Sequence, residues 1–156
     1  MTRVSRWVRL CLAGVCLLLA AAASAQETLE LDANSREVAL APALRHVHDV
    51  GAEADIATAS TWLAQGRFAP LPDGKTALGF RDGALWFHAR VVNRNPGEPR
   101  WLLVQTFALT DRIDLYARYA DGRVIHHASG DSLPFELRSV RYRHPNFEID
   151  LPPGEP

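Results

Sequence analysis

Ile113-Asp114-Leu115-Tyr116-Ala117-Arg118-Tyr119-Ala120-Asp121-Gly122-Arg123-Val124-Ile125-His126-His127-Ala128 decides the fold of this chain. On either side of Asp121-Gly122, β-branched and aromatic residues are interleaved with polar ones. A half-buried strand needs that alternation, because successive side chains point to opposite faces. An Asp-Gly pair supplies the φ > 0 positions of a type I′ turn, whose twist matches that of the strands it joins. Residues 113–128 are therefore expected to form a hairpin closed by a two-residue primed turn.

The same pattern extends outward. Segments 85–92, 101–107, 123–128 and 146–151 read as further strands, separated by the turn signals Asp82-Gly83, Asn95-Pro96-Gly97 and Ser129-Gly130-Asp131. Short opening strands are expected around Leu29–Leu31 and Leu44–Val47. Between these and the β-rich half, Ile56, Ala59 and Leu63 recur at helical spacing. With Asp55 as cap and Gly66 in the stop position, they predict one short helix near residues 54–65. Pro70, Pro72 and Asp73-Gly74 then break the chain into loop. The expected fold class is mostly β: an antiparallel jelly roll or β-sandwich, in which two sheets bury their apolar faces against each other. The chain runs out at Leu151-Pro152-Pro153-Gly154-Glu155-Pro156 after a strand with no further partner, so the domain over residues 26–156 is expected to lack its last strand.

The first 25 residues read as an export signal. Arg3, Arg6 and Arg9 form a basic region, Leu10–Ala23 carry no charge, and Ala23-Ser24-Ala25 is a small-x-small site that places cleavage after Ala25. The apolar run, roughly 14 residues, is too short to cross about 30 Å of hydrocarbon. Cys11 and Cys16 both lie within the signal, leaving an exported chain without cysteine even though it folds where disulfides would be allowed. Cys16 follows Val15 in mid-run, a poor lipoprotein site. Without the three signal arginines, the 17 basic residues fall to 14 against 18 acidic ones, a net charge of −4. A mildly acidic domain with no basic stripe gives no footprint for nucleic acid. There is no nucleophile elbow, phosphate loop or zinc-binding helix, so catalysis is not expected, and no cofactor is implied.

The pieces Phe68-Ala69-Pro70, Leu78-Gly79-Phe80, Ala84-Leu85-Trp86-Phe87 with Asn93, Asp111-Arg112-Ile113-Asp114-Leu115-Tyr116 with Asp121-Gly122, and Gly130-Asp131, Pro134-Phe135, Arg138, Arg143, Phe147 and Leu151 follow one another in a familiar order. In these residues the chain resembles the extracellular (periplasmic) sensor domain, type 2, of bacterial seven-transmembrane receptors with diverse intracellular signalling modules. The resemblance covers nearly all of residues 26–156. It implies a periplasmic jelly roll similar to carbohydrate-binding modules. In complete receptors this module precedes a seven-helix membrane bundle and a cytoplasmic output domain such as a diguanylate cyclase or a histidine kinase. This chain has neither an apolar run of about 18 residues after the signal nor an output domain.

Arg138-Ser139-Val140-Arg141-Tyr142-Arg143-His144 is the densest run of recognition groups. As a strand it would set Val140 and Tyr142 on one face and Arg141 and Arg143 on the other. Guanidinium forks suit a carboxylate or an acidic sugar, and a tyrosine ring stacks on a sugar face. The same residues would also serve as an edge strand whose charges discourage aggregation. Arg138, Arg141, Tyr142 and Arg143 are the first candidates for ligand contact. Trp62 at the helix end and Tyr119 beside the hairpin turn are expected to be exposed enough to stack on a ligand. Trp86, Phe87, Trp101 and Phe107 are expected to fill the space between the sheets. His46-x-His48 beside Asp49, and His126-His127, fall short of the three or four converging ligands that zinc needs, so no metal site is expected.

These readings favour a non-catalytic, ligand-sensing ectodomain, or the front end of such a receptor, binding a small carbohydrate or carboxylate compound. A free-standing periplasmic protein-docking module and an accessory carbohydrate-binding domain of a glycan-degrading enzyme are the alternatives.

Overall fold

Backbone hydrogen bonding gathers the β-rich segments into four small sheets. The computed structural model describes residues 27–154, so the export signal expected over residues 1–25 and its cleavage after Ala25 lie outside the described residues. β1 (Thr28–Leu31) pairs with β5 (Arg90–Asn93), and β2 (Arg45–Asp49) lies between β3 (Ala69–Pro70) and β4 (Ala84–His88). β6 (Arg100–Val104) pairs with β9 (Asn146–Asp150), and β7 (Ile113–Arg118) pairs with β8 (Val124–Ser129). The mostly β class and the single α-helix over this range match expectation. Helix α1 spans Ile56–Ala64, and the Asp55 carboxylate accepts from the Thr58 amide at 2.8 Å, satisfying one of the amides a helix start leaves open. Among the described residues, no helix is long and apolar enough to cross a membrane.

Several local expectations are corrected. The predicted strand 85–92 is interrupted at Ala89 and divides between two sheets: β4 runs antiparallel to β2, and β5 runs parallel to β1. A parallel pair is possible because the connection from β1 to β5 is long enough to cross over. Pro70, expected in a loop, pairs with Arg45 in a two-residue edge strand, a position where a residue without an N–H is tolerated. Residues 138–144 are not a strand. They form an irregular loop after the 3₁₀ turn Phe135–Leu137.

The hairpin of β7 and β8 exists, but its turn has three residues rather than two. Arg118 faces Val124, the Tyr119 amide donates to the Arg123 carbonyl at 2.9 Å, and the Gly122 amide donates to the Tyr119 carbonyl at 2.9 Å. Gly122 has φ +85°, whereas Asp121 is not left-handed. A type I′ turn needs φ > 0 at both central residues, so the chain takes a type I turn with glycine at the following αL position.

The core comprises Leu31, Ala43, Ala59, Phe68, Leu71, Val92, Tyr119 and Phe147. Phe147, 2% exposed, meets His127 of β8 edge-on at 6.4 Å, and Trp86 of β4 stacks on Tyr116 of β7 at 6.0 Å, so ring contacts pack separate sheets on one another. Burying a side chain such as Phe147 contributes roughly 1.5–3 kcal/mol. The expected aromatic filling is only partly found: Phe87 is 39% and Phe107 56% exposed, and Trp86 and Trp101 are half-buried. Phe68, Tyr119 and Phe147 supply the buried rings instead.

Two buried asparagines hold the irregular segments. Asn93, fully buried, donates from Nδ2 to the carbonyls of Glu98 and Leu151, both at 2.8 Å, and accepts the Asn95 amide on Oδ1 at 2.9 Å. Its backbone carbonyl accepts the Gly154 amide at 2.7 Å. Asn146, 1% exposed, donates to the carbonyls of Val140 at 2.9 Å and His144 at 3.0 Å and accepts the Val140 amide at 2.8 Å.

Asn93→Ala strips three backbone groups of a partner and should lower stability by roughly 2–4 kcal/mol, read from urea midpoints at unchanged m. Asn93→Asp keeps the acceptor but sets a charge against two carbonyls, and should be no milder. A loss below about 0.5 kcal/mol for Asn93→Ala would mean that water replaces the carboxamide.

Candidate functional site

The loop from Pro134 to Pro145 joins β8 to β9 and is shaped by side chains that bond to its own backbone. Arg138 donates from one arm of its guanidinium to the carbonyls of Tyr142 at 2.9 Å and Arg143 at 2.6 Å, and its Cζ lies 4.8 Å from the centre of the Phe135 ring. Its Nε is buried without a hydrogen-bond partner. Asn146 grips the same loop from below at Val140 and His144, and the Ser139 hydroxyl accepts the Glu148 amide at 3.1 Å. The polar groups that fix the loop are thus those of Arg138, Ser139 and Asn146. Arg141, Tyr142 and Arg143 stand exposed, and among the described residues neither Arg141 nor Arg143 has a side-chain partner. The Tyr142 ring leans edge-on against His144 at 5.3 Å.

Of the residues singled out from sequence, Arg138, Arg141, Tyr142 and Arg143 are brought together. Tyr119 is not among them. It sits at the hairpin tip, at the opposite end of β7 from the Ile113–Ser129 pair that leads into this loop, and it is 8% exposed rather than open. The Arg123 guanidinium covers its ring at 4.4 Å, and burial pushes its phenol above the ordinary value against the pull of that cation. Trp62 lies on α1, half-buried under Arg67, whose Cζ is 4.4 Å from the ring centre.

Sequence reasoning missed a second polar group, on the face of β7 and β8 that carries Tyr116. The Tyr116 ring lies between Trp86, at 6.0 Å and 22°, and His126, at 4.5 Å and 13°. His126 Nε2 is 2.8 Å from Asp114 Oδ1, and Arg112 holds both oxygens of Asp114, with Nε–Oδ2 at 2.8 Å and Nη2–Oδ1 at 3.0 Å. The signal was present in Arg112, Asp114 and Tyr116 at period two, but the assumed turn hid His126. A two-residue loop sets His127 opposite Tyr116, whereas the three-residue loop sets His126 there.

His46 and His48 are engaged separately. His46 Nδ1 donates to the Ala69 carbonyl at 3.2 Å and His48 Nε2 to the Asp82 carbonyl at 2.7 Å; since a carbonyl only accepts, the ring nitrogen must carry the proton in each. No group of three or more His, Cys, Asp or Glu is placed to hold a metal ion among the described residues.

Residues 41–156 match the family model described as 7TMR-DISM extracellular 2. Among curated proteins and solved structures there is no match.

The Arg112 guanidinium holds the Asp114 carboxyl below its usual range, partial burial opposes this, and the bond from His126 adds to the lowering. A carboxylate depressed in the folded state contributes stability that is complete above its unfolded pKa, about 3.9, and is lost as pH falls through the folded value. Asp114→Asn should therefore destabilise at neutral pH and converge on the parent protein as pH drops from about 5 towards 2, in urea midpoints measured against pH. A difference that stays constant with pH would show that the ionic pair contributes nothing.

Proposed function

The chain belongs to the 7TMR-DISM extracellular 2 family, and on that premise we propose that it is the exported, non-catalytic, ligand-sensing ectodomain of a bacterial seven-transmembrane receptor. Its membrane partner is a seven-helix bundle, and a cytoplasmic output domain such as a diguanylate cyclase or a histidine kinase answers it. The ligand is a small carbohydrate or carboxylate compound.

One observation carries the ligand reading: the 138–144 loop is fixed by its own side chains while Arg141, Tyr142 and Arg143 face solvent. A loop already held in shape loses little conformational freedom when a ligand docks, which favours affinity. Two unpaired guanidiniums capture a carboxylate through charge-assisted bonds, and the Tyr142 ring offers an apolar face to a sugar. Arg138 acts here as a positioning residue, because the arm it extends is bonded to the loop backbone. Trp62, half-exposed at the surface of α1, offers a second stacking surface. A receptor also requires that its ligand favour one of two arrangements, since equal affinity for both shifts nothing.

Titration calorimetry of the purified protein with glucose, glucuronate and galacturonate tests this. We expect the sugar acids to bind more tightly than glucose, and Arg141→Ala with Arg143→Ala to weaken them roughly 10–100-fold, as loss of a bond to a charged group predicts. Unchanged binding by the folded double variant would overturn the assignment.

A further inference from the structure

Two loops close the same end of the sheets. The connection from β6 to β7 is tied at its start by the Gln105 amide, which donates to the Pro145 carbonyl at 2.9 Å, and at its finish by the Thr110 carbonyl, which accepts the Asp131 amide at 2.8 Å. Asp131 and Pro145 stand at the two ends of the connection from β8 to β9, so both loops rise from the same pair of anchor points. The Thr110 hydroxyl donates to the Phe107 carbonyl at 3.3 Å within the first loop, and Arg138 and Asn146 hold the second. Apolar side chains are left in water on both: Phe107 and Leu109 on the first, and Phe135, Leu137, Val140 and Tyr142 on the second, with Leu109 68% and Leu137 62% exposed. The exposed guanidiniums of Arg141 and Arg143 share this end. Among the described residues neither forms an ion pair with Glu136, the acid on the same loop.

Apolar groups gathered at one end of a domain and bordered by charge mark a contact surface, because each is costly to leave in water. Whatever covers them must also answer the guanidiniums. Resting on the carboxylate reading of the 138–144 loop, we propose that its ligand is amphiphilic: a soluble sugar acid carrying an apolar chain, which lies over Phe107, Leu109 and Leu137 while the carboxylate meets Arg141 and Arg143. A free sugar acid would cover the cations and leave the apolar side chains wet, and a neutral hydrocarbon would do the reverse. Both loops are already tied to the sheets, so neither has to be ordered as the ligand docks. Position favours a soluble molecule over a bilayer. In the β6–β9 ladder the loops lie at the Val104–Asn146 end, whereas the chain leaves β9 from the Arg100–Asp150 end. In a receptor whose membrane helices follow this domain, the loops face away from the lipid.

Titration calorimetry on the purified protein compares octyl glucuronide with its two halves, glucuronate and octyl glucoside, below micelle-forming concentrations. Octyl glucuronide should bind about tenfold tighter than either, since it alone covers both kinds of group. Phe107→Ser combined with Leu109→Ser, at exposed positions outside the core, should bring octyl glucuronide down to the affinity of glucuronate and leave glucuronate as it was. Val124→Ser, which removes an exposed apolar residue at the hairpin tip, the opposite end of β7 and β8, should change neither. An octyl chain that adds no affinity, or an advantage that survives in the folded Phe107, Leu109 double variant, overturns the proposal. So does octyl glucoside binding as tightly as octyl glucuronide, or sedimentation with phosphatidylglycerol vesicles that the same double variant abolishes, which would make the occupant a bilayer. Loss of the octyl advantage with glucuronate still bound sinks this inference alone, whereas octyl glucuronide held equally well by folded Arg141→Ala with Arg143→Ala sinks the carboxylate reading on which it rests.

Discussion

A buried carboxamide can satisfy backbone groups that no neighbouring strand reaches, and the irregular half of this fold depends on two of them. Strands account for their own amides and carbonyls through the ladder, but the connections between them carry polar groups that water does not reach once they are covered. Asn93 gathers the Asn95 amide and the carbonyls of Glu98 and Leu151, and Asn146 does the same for Val140 and His144. Each lies in or at the end of a strand whose position is already set by pairing, so the loops are registered against the sheets. The exposed arginines of the 138–144 loop owe their presentation to this arrangement.

Much of the architecture was legible because period-two alternation and turn residues report directly on strands. Every strand of four or more residues was located, and α1 was found with its cap. What failed was finer. Asp121-Gly122 looked like a complete turn, yet the distinction between two and three residues depends on whether Asp121 takes φ > 0, and composition does not settle that. The consequence reached further than the turn, since a shift of one residue exchanges the faces of a whole strand and brings His126 rather than His127 beside Tyr116. The break at Ala89 was hidden for a similar reason: an unbroken run of strand-forming residues looks the same whether it serves one sheet or two.

The candidate site was legible as a cluster but not as a division of labour. Sequence density pointed to Arg138–His144, and the loop does display Arg141, Tyr142 and Arg143. Which arginine builds and which is available depends on contacts with carbonyls, visible only once the loop has a shape. Aromatic residues misled in the opposite direction: Phe87 and Phe107 are partly exposed and Tyr119 is covered, because burial of a ring follows from strand facing and the chain that crosses it, not from its hydrophobicity alone.

β5 is only four residues long, yet it has business at both ends. Arg90 begins it, and Asn93 ends it with a grip on Leu151 and Gly154, where the polypeptide leaves the last strand. Extended backbone between these points has little slack. The strand therefore fixes the spacing between Arg90 and the segment that follows the last strand.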